Sequence, residues 1–191
     1  MLDKKYFAKL RSVLLNYAEK RRELIKLSGD AQQKAKKSIF AFQRDDADGG
    51  HATLKESLAM LNTAAGIINS DERLSGEGSY RAALEEYIEA DLFRQCVSGG
   101  EIGQAEGVEV EPDLYISGLC DVPGELYRYA IHSATAKKFD RVALCHELAE
   151  EIIAELVDMD LTGYNRQKFD QAKQALQKLE QVVYEVSMKR V

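Results

Sequence analysis

Apolar residues recur at three- and four-residue intervals through the first forty-odd positions, at Phe7, Leu10, Val13, Leu14, Tyr17, Leu24, Leu27, Ala31, Ala35, Ile39 and Phe42. That period marks one face of an α-helix, and it is sustained far too long for a strand. A helix over 3–44 is about 60 Å long, with Ser28-Gly29-Asp30 as the place where it could bend. Such a rod cannot bury its apolar stripe alone, so the rest of the chain has to pack along it.

Nothing downstream breaks the helical reading. The chain has two prolines, and no stretch alternates apolar and polar residues between turn signals as a half-buried strand does. Asp45-Asp46-Ala47-Asp48-Gly49-Gly50 reads as an acidic, glycine-containing loop. Further helices are expected over 51–69, 79–97, 112–137, 141–158 and 166–188. Gly99 and Gly100 terminate the third, Pro112 opens the fourth, and a 162–165 turn precedes the sixth. Residues 99–111 form a linker. Pro123 removes the amide that would pair with Leu119, which predicts a kink near Asp121. The fold class is all-α, a bundle of about six helices in one domain over 1–191.

Several function classes fall away at this point. Cys96, Cys120 and Cys145 are odd in number and contain no C-x-x-C pair, so neither a disulfide framework nor a thiolate metal site is expected. No apolar run is long enough to span a membrane and no signal-peptide core opens the chain, which points to a cytoplasmic protein. The net charge of −6 conceals an asymmetry. Residues 1–44 hold twelve Lys and Arg against four acids, leaving fourteen basic and twenty-eight acidic residues for the remainder. A basic arm on an acidic body can grip a polyanion, although a solvated basic helix face has the same composition.

The third and fourth helices carry the local pattern with most chemical content. Glu86 and Glu89 lie three apart, and Asp121 and Glu125 four apart, so each pair shares a helix face. At about 100° per residue from Leu84, Glu86 and Glu89 fall near 200° and 140° and straddle Phe93 at about 180°. They flank a second apolar stripe instead of an all-polar face. The Asp121 face also carries Gly118, Arg128 and His132. Two such pairs facing each other supply four hard oxygen ligands, the donor set of a Mg²⁺ or Mn²⁺ ion. Taken singly, each pair is equally consistent with a wet helix face.

Other catalytic patterns are missing. No Glu stands three residues before a His, and there is neither a phosphate-binding glycine loop nor a G-x-S-x-G elbow. His132 reads as a hydrogen-bonded structural histidine, His51 and His146 as surface or capping residues, and Tyr129 as a core residue.

Three stretches carry a resemblance to a known family. The first comprises 20–28, KRRELIKLS, with Lys36-Lys37-Ser38-Ile39-Phe40 and Arg44 following. The second is LEEYIEADLF over 84–93, and the third YISGLCDVPGELYRYAIHS over 115–133. Together with the 178–187 tail they resemble the translin family, most closely its catalytic branch typified by translin-associated factor X. Pro123 and His132 depart from that branch, and the compact length resembles an archaeal, self-assembling version.

The resemblance implies a translin-type helical bundle, a homo-oligomer closed as an octamer, and Mg²⁺- or Mn²⁺-dependent cleavage of single-stranded RNA by Glu86, Glu89, Asp121 and Glu125. Lys20, Arg21, Lys36, Lys37, Arg44 and Arg128 are the candidate RNA-binding residues, with single-stranded DNA a second ligand. Two alternatives remain open. One is a non-catalytic binding shell like translin itself, and the other an all-helical nucleotide pyrophosphohydrolase.

Overall fold

The computed structural model describes residues 1–189, with side chains to Met188. Among these residues there are six α-helices, one short 3-10 turn and no strand. Helix α1 spans Lys4–Gln43. Asp3 caps it, its carboxylate accepting from the amides of Lys5 and Tyr6 at 3.0 and 3.1 Å. The helix continues without interruption through Ser28-Gly29-Asp30, because Ser28 faces the interior and nothing crowds Gly29.

Packing along α1 is uneven. Residues 1–16 are all exposed. Leu24 joins Ala64 and Leu74 in a small cluster, and Ala31, Ala35, Ile39 and Phe42 enter the main core. Each large apolar side chain fully buried in that way contributes about 1.5–3 kcal/mol.

Helix α2, Ala47–Asn69, starts four residues earlier than the sequence suggested. The expected loop over 45–50 shrinks to a turn because Asp46 caps the helix, accepting from the Gly49 amide at 3.0 Å. Gly49 and Gly50 are helical for reasons of space. A Cβ on Gly50 would lie 2.7 Å from the Phe42 ring, and Ser38 donates to the Gly50 carbonyl at 2.8 Å. Asp45 makes the corner with φ 63°, a left-handed value that aspartate tolerates better than most residues. Its carboxylate accepts from Tyr129 at 2.9 Å and from Lys138 and Arg141 at 2.5 Å each, tying the α1–α2 corner to the far side of the bundle.

After the 3-10 turn Glu72–Leu74 come α3, Gly78–Ser98, and α4, Pro112–Thr135. Gly99 ends α3 at φ 73°, as glycine termination requires. Helix α4 passes through Pro123 as one helix. The intervening linker is pinned to α3. Buried Asp91 accepts from the Glu106 amide at 3.0 Å, Gln95 accepts from the Gly103 amide at 2.8 Å, and Tyr87 donates to the Glu106 carbonyl at 2.8 Å. Helices α5, Phe139–Val157, and α6, Gly163–Lys189, complete the chain. Gly163, at φ 56°, lets α6 begin three residues before the predicted start.

Helix α1 packs on α2 and α3, while α4 packs on α3, α5 and α6. The bundle is thus two groups of three helices joined across the α3–α4 contact. Gly118 lies in tight contact across that seam: a Cβ there would meet Ile88 Cγ2 at 2.7 Å and the Glu85 carbonyl oxygen at 3.1 Å. No helix of the described residues is long and apolar enough to cross a membrane.

Candidate functional site

Close contact at Gly118 brings the acidic faces of α3 and α4 against each other. Helix α3 is buried on both of its apolar stripes, with Ile88 and Leu92 on one and Phe93, Ala90 and Cys96 on the other. Glu89, between them, goes into the interior with them at 8% exposure, and Glu125 on α4 is equally buried at 6%. Glu86 and Asp121 are half-buried beside them. Glu89 feels the charges of Asp121, Glu125 and Glu86, so the four acids form one electrostatic group. A cavity of about 290 Å³ opens onto Glu89, Asp121, Gly124, Glu125, Arg128 and Gln171.

Burial dominates the titration of all four. It pushes Glu89 up to about 9, with the three neighbouring carboxylates adding to the shift. Glu86 is raised by burial against the pull of Lys36, Asp121 by burial against Lys168, and Glu125 by burial against Arg128. Burial and the neighbouring charges thus favour the protonated form of Glu89 in the metal-free protein.

Three of the acids have cationic partners. Lys36 approaches Glu86 at 3.3 Å, and Gln32 donates to the same oxygen at 3.4 Å. Arg128 pairs with Glu125 at 2.7 Å, and Gln43 donates to its other oxygen. Lys168 on α6 binds Asp121. Among the described residues, nothing donates a hydrogen bond or an ion pair to Glu89.

A hard divalent cation suits this donor set. Four carboxylates that hold one another's ionisation back, one of them buried with no donor, are what such an ion relieves. As the side chains stand, however, no group of three or more carboxylate, imidazole or thiol donors among the described residues is arranged to hold an ion. The oxygens point to Lys36, Arg128 and Lys168 instead. Lys36 and Arg128 are 53% and 62% exposed, so water can replace them, leaving Gln32 on Glu86 and Gln43 on Glu125.

The basic candidates divide by location. Lys36 and Arg128 lie at the acids. Lys37 on α1 and Arg44 just past its end are exposed, and among the described residues their side chains make no hydrogen bond or ion pair. Lys20 and Arg21 lie further back, where Lys20 donates to the Ser70 carbonyl at 3.2 Å and Arg21 pairs with Glu77 at 2.7 Å.

His132 does not take the structural role expected of it. It is exposed in the last turn of α4, and among the described residues its side chain makes no hydrogen bond. His146 does have a partner, Glu150, at 3.3 Å one turn on. Tyr129 is a core residue, its ring edge-on to Phe93 at 6.0 Å.

Sequence reasoning passed over Lys168, Glu85, Gln32 and Gln43. For Lys168 the signal was present. It stands in line with Phe169, Ala172 and Leu179 on the buried face of α6, and a lysine on an apolar face needs an anion.

An all-helical bundle with a cluster of carboxylates where its two halves meet defines a class of protein. Residues 84–190 match the translin family, and the chain belongs to that family. Solved structures with the same fold include apo-NeC3PO, with a TM-score of 0.87 at 19% identity over 97% of this chain and 98% of that one. AfC3PO in complex with duplex RNA is similar at 0.84 and 21% identity, and AfC3PO alone at 0.83 and 22%, each over 97% of this chain and 98% of that chain. Curated protein sequences give no match.

Proposed function

We propose that this chain is a Mg²⁺- or Mn²⁺-dependent endoribonuclease that cuts single-stranded RNA inside an oligomeric shell built from copies of itself, with eight as the expected number. The observation that carries the reading is Glu89, a buried carboxyl with no donor, ringed by three other acids at the seam of a translin fold. RNA as the ligand is supported by the fold it shares with AfC3PO, whose structure in complex with duplex RNA has been solved, and by the exposed side chains of Lys37 and Arg44, which have no partner among the described residues. Assembly is supported by the exposed start of α1, where Phe7, Leu10, Val13 and Leu14 are at least 40% exposed.

In this reading Glu86, Glu89, Asp121 and Glu125 hold the ion, which when bound supplies an activated water and neutralises charge developing on the phosphodiester. The protein's own residues do the rest. Lys36 and Arg128, both more than half exposed, exchange their carboxylates for phosphate oxygens as RNA enters. Lys37 and Arg44 hold the backbone without reading sequence. Buried Phe93 and Ala90 keep bulk water from the back of Glu89.

A second reading is favoured by one observation. Lys36, Arg128 and Lys168 already pair three of the acids, and a non-catalytic RNA-binding oligomer needs no more than that. Labelled single-stranded and duplex RNA incubated with Mg²⁺, Mn²⁺ or EDTA separates the two, with Glu125→Ala as the control. Metal-dependent cutting by the native chain, lost in Glu125→Ala with RNA binding retained, supports the nuclease. Binding without cutting by both chains supports the binding shell.

A further inference from the structure

Lys168 differs from the other two cations at the acid cluster. Lys36 and Arg128 are more than half exposed, whereas Lys168 is 7% exposed and its ammonium is fully committed. It donates to Asp121, to Glu85 Oε1 at 2.5 Å and to the Ser117 carbonyl at 3.2 Å, so three acceptors take its three protons. Glu85 is fixed in turn by the Tyr164 hydroxyl, which donates to it at 3.1 Å.

We propose that Lys168 is a positioning residue of the acid cluster, a built-in cation that holds Asp121 and competes with a divalent ion for its carboxylate. The inference rests on reading the four acids as a cation site. Two consequences follow from charge alone. The native site binds a divalent ion more weakly than four free carboxylates would, because one of them is engaged and a positive charge stands beside the ion. Removing the ammonium leaves half-buried Asp121 and Glu85 without this counter-ion, which destabilises the metal-free protein and makes the site greedier for metal.

A lysine that only braces the fold predicts the opposite sign, since losing a brace disorders ligands and weakens binding. The test is Mn²⁺ titration at pH 7 followed by the electron paramagnetic resonance signal of free ion, with thermal melting in EDTA and in Mn²⁺. Lys168→Met is expected to bind Mn²⁺ at least tenfold more tightly than the native chain, to melt lower in EDTA, and to recover in Mn²⁺. Lys168→Arg, which keeps the charge, is expected to stay near native affinity. If Lys168→Met folds only in Mn²⁺, its unfolding on adding EDTA reports the same exchange of cations.

Native binding with equal or weaker binding by Lys168→Met overturns the proposal and leaves the cation site standing. Binding by Lys168→Met alone upholds Lys168 as the resident cation and overturns the metal-dependent function. Binding by neither protein overturns both.

Discussion

The α-carbon of Gly118 on α4 sits so close to Ile88 on α3 that a single added methyl group would lie 2.7 Å from Ile88 Cγ2. The contact sets the distance between the helices that carry Asp121 and Glu125 on one side and Glu86 and Glu89 on the other. Ile88 is fully buried and the Glu85 carbonyl lies 3.1 Å from the same point, so relief has to come from the helices moving apart. Gly118→Ala should therefore cost about 1–3 kcal/mol of stability in urea unfolding, with metal affinity falling as well. A neutral result would mean that the helices slide without penalty.

Asp45 makes acid stability a local property. Lys138, with Tyr129 and Arg141, holds its carboxyl down to about 2 from an ordinary 3.8, against the effect of burial. The folded value lies below the unfolded one, so the contribution is complete above about pH 4 and is lost as pH falls toward 2. Asp45→Asn should melt several degrees lower than the native chain at pH 7, and the gap should close by pH 2. A gap of constant size across that range would assign the loss to the left-handed corner instead of the charge.

Lys37 and Arg44 are exposed and unpaired, which makes them the simplest test of the basic grip. Replacing both with Ala should weaken single-stranded RNA binding and lower the slope of log affinity against log salt by about 0.7 for each phosphate left without its cation. Lys20→Ala should change the slope less, because Lys20 is already engaged with Ser70. Equal slopes for all variants would place the RNA elsewhere.

Leu10 and Leu14 lie on the uncovered part of α1, at 40% and 62% exposure. Leu10→Asp with Leu14→Asp should leave the helical circular dichroism intact and shift the assembly to smaller species by light scattering. An unchanged mass would show that this face is not the one that copies of the chain share.

The sequence revealed the helices well because their apolar period is long and uninterrupted, and the six-helix, translin-type fold is the one observed. It failed at the 45–50 corner for a reason that is physical. Glycines there read as flexibility, whereas Gly50 lies in the first turn of a helix capped by Asp46, at a spot where the Phe42 ring leaves no room for a side chain. Spacing within a helix also placed Glu86 with Glu89 and Asp121 with Glu125, but it carries no information about what comes from other helices. Lys168 lies forty-seven positions from Asp121 and Gln43 eighty-two from Glu125, so their contacts exist only once the bundle has closed. His132 shows the converse, since sharing a face with Asp121 on an ideal helix did not keep it in the interface.

Helix α1 begins in solvent and ends in the core. Its first thirteen residues, 4–16, gain nothing from their own bundle, and a helix of that length is marginal on propensity alone. Amide exchange along this single element should therefore be graded, with rapid exchange near Tyr6 and slow exchange from Leu24 onward. Any partner that covers the first turns would slow the fast amides and leave the slow ones untouched, so the helix is its own gauge of whether the chain is alone.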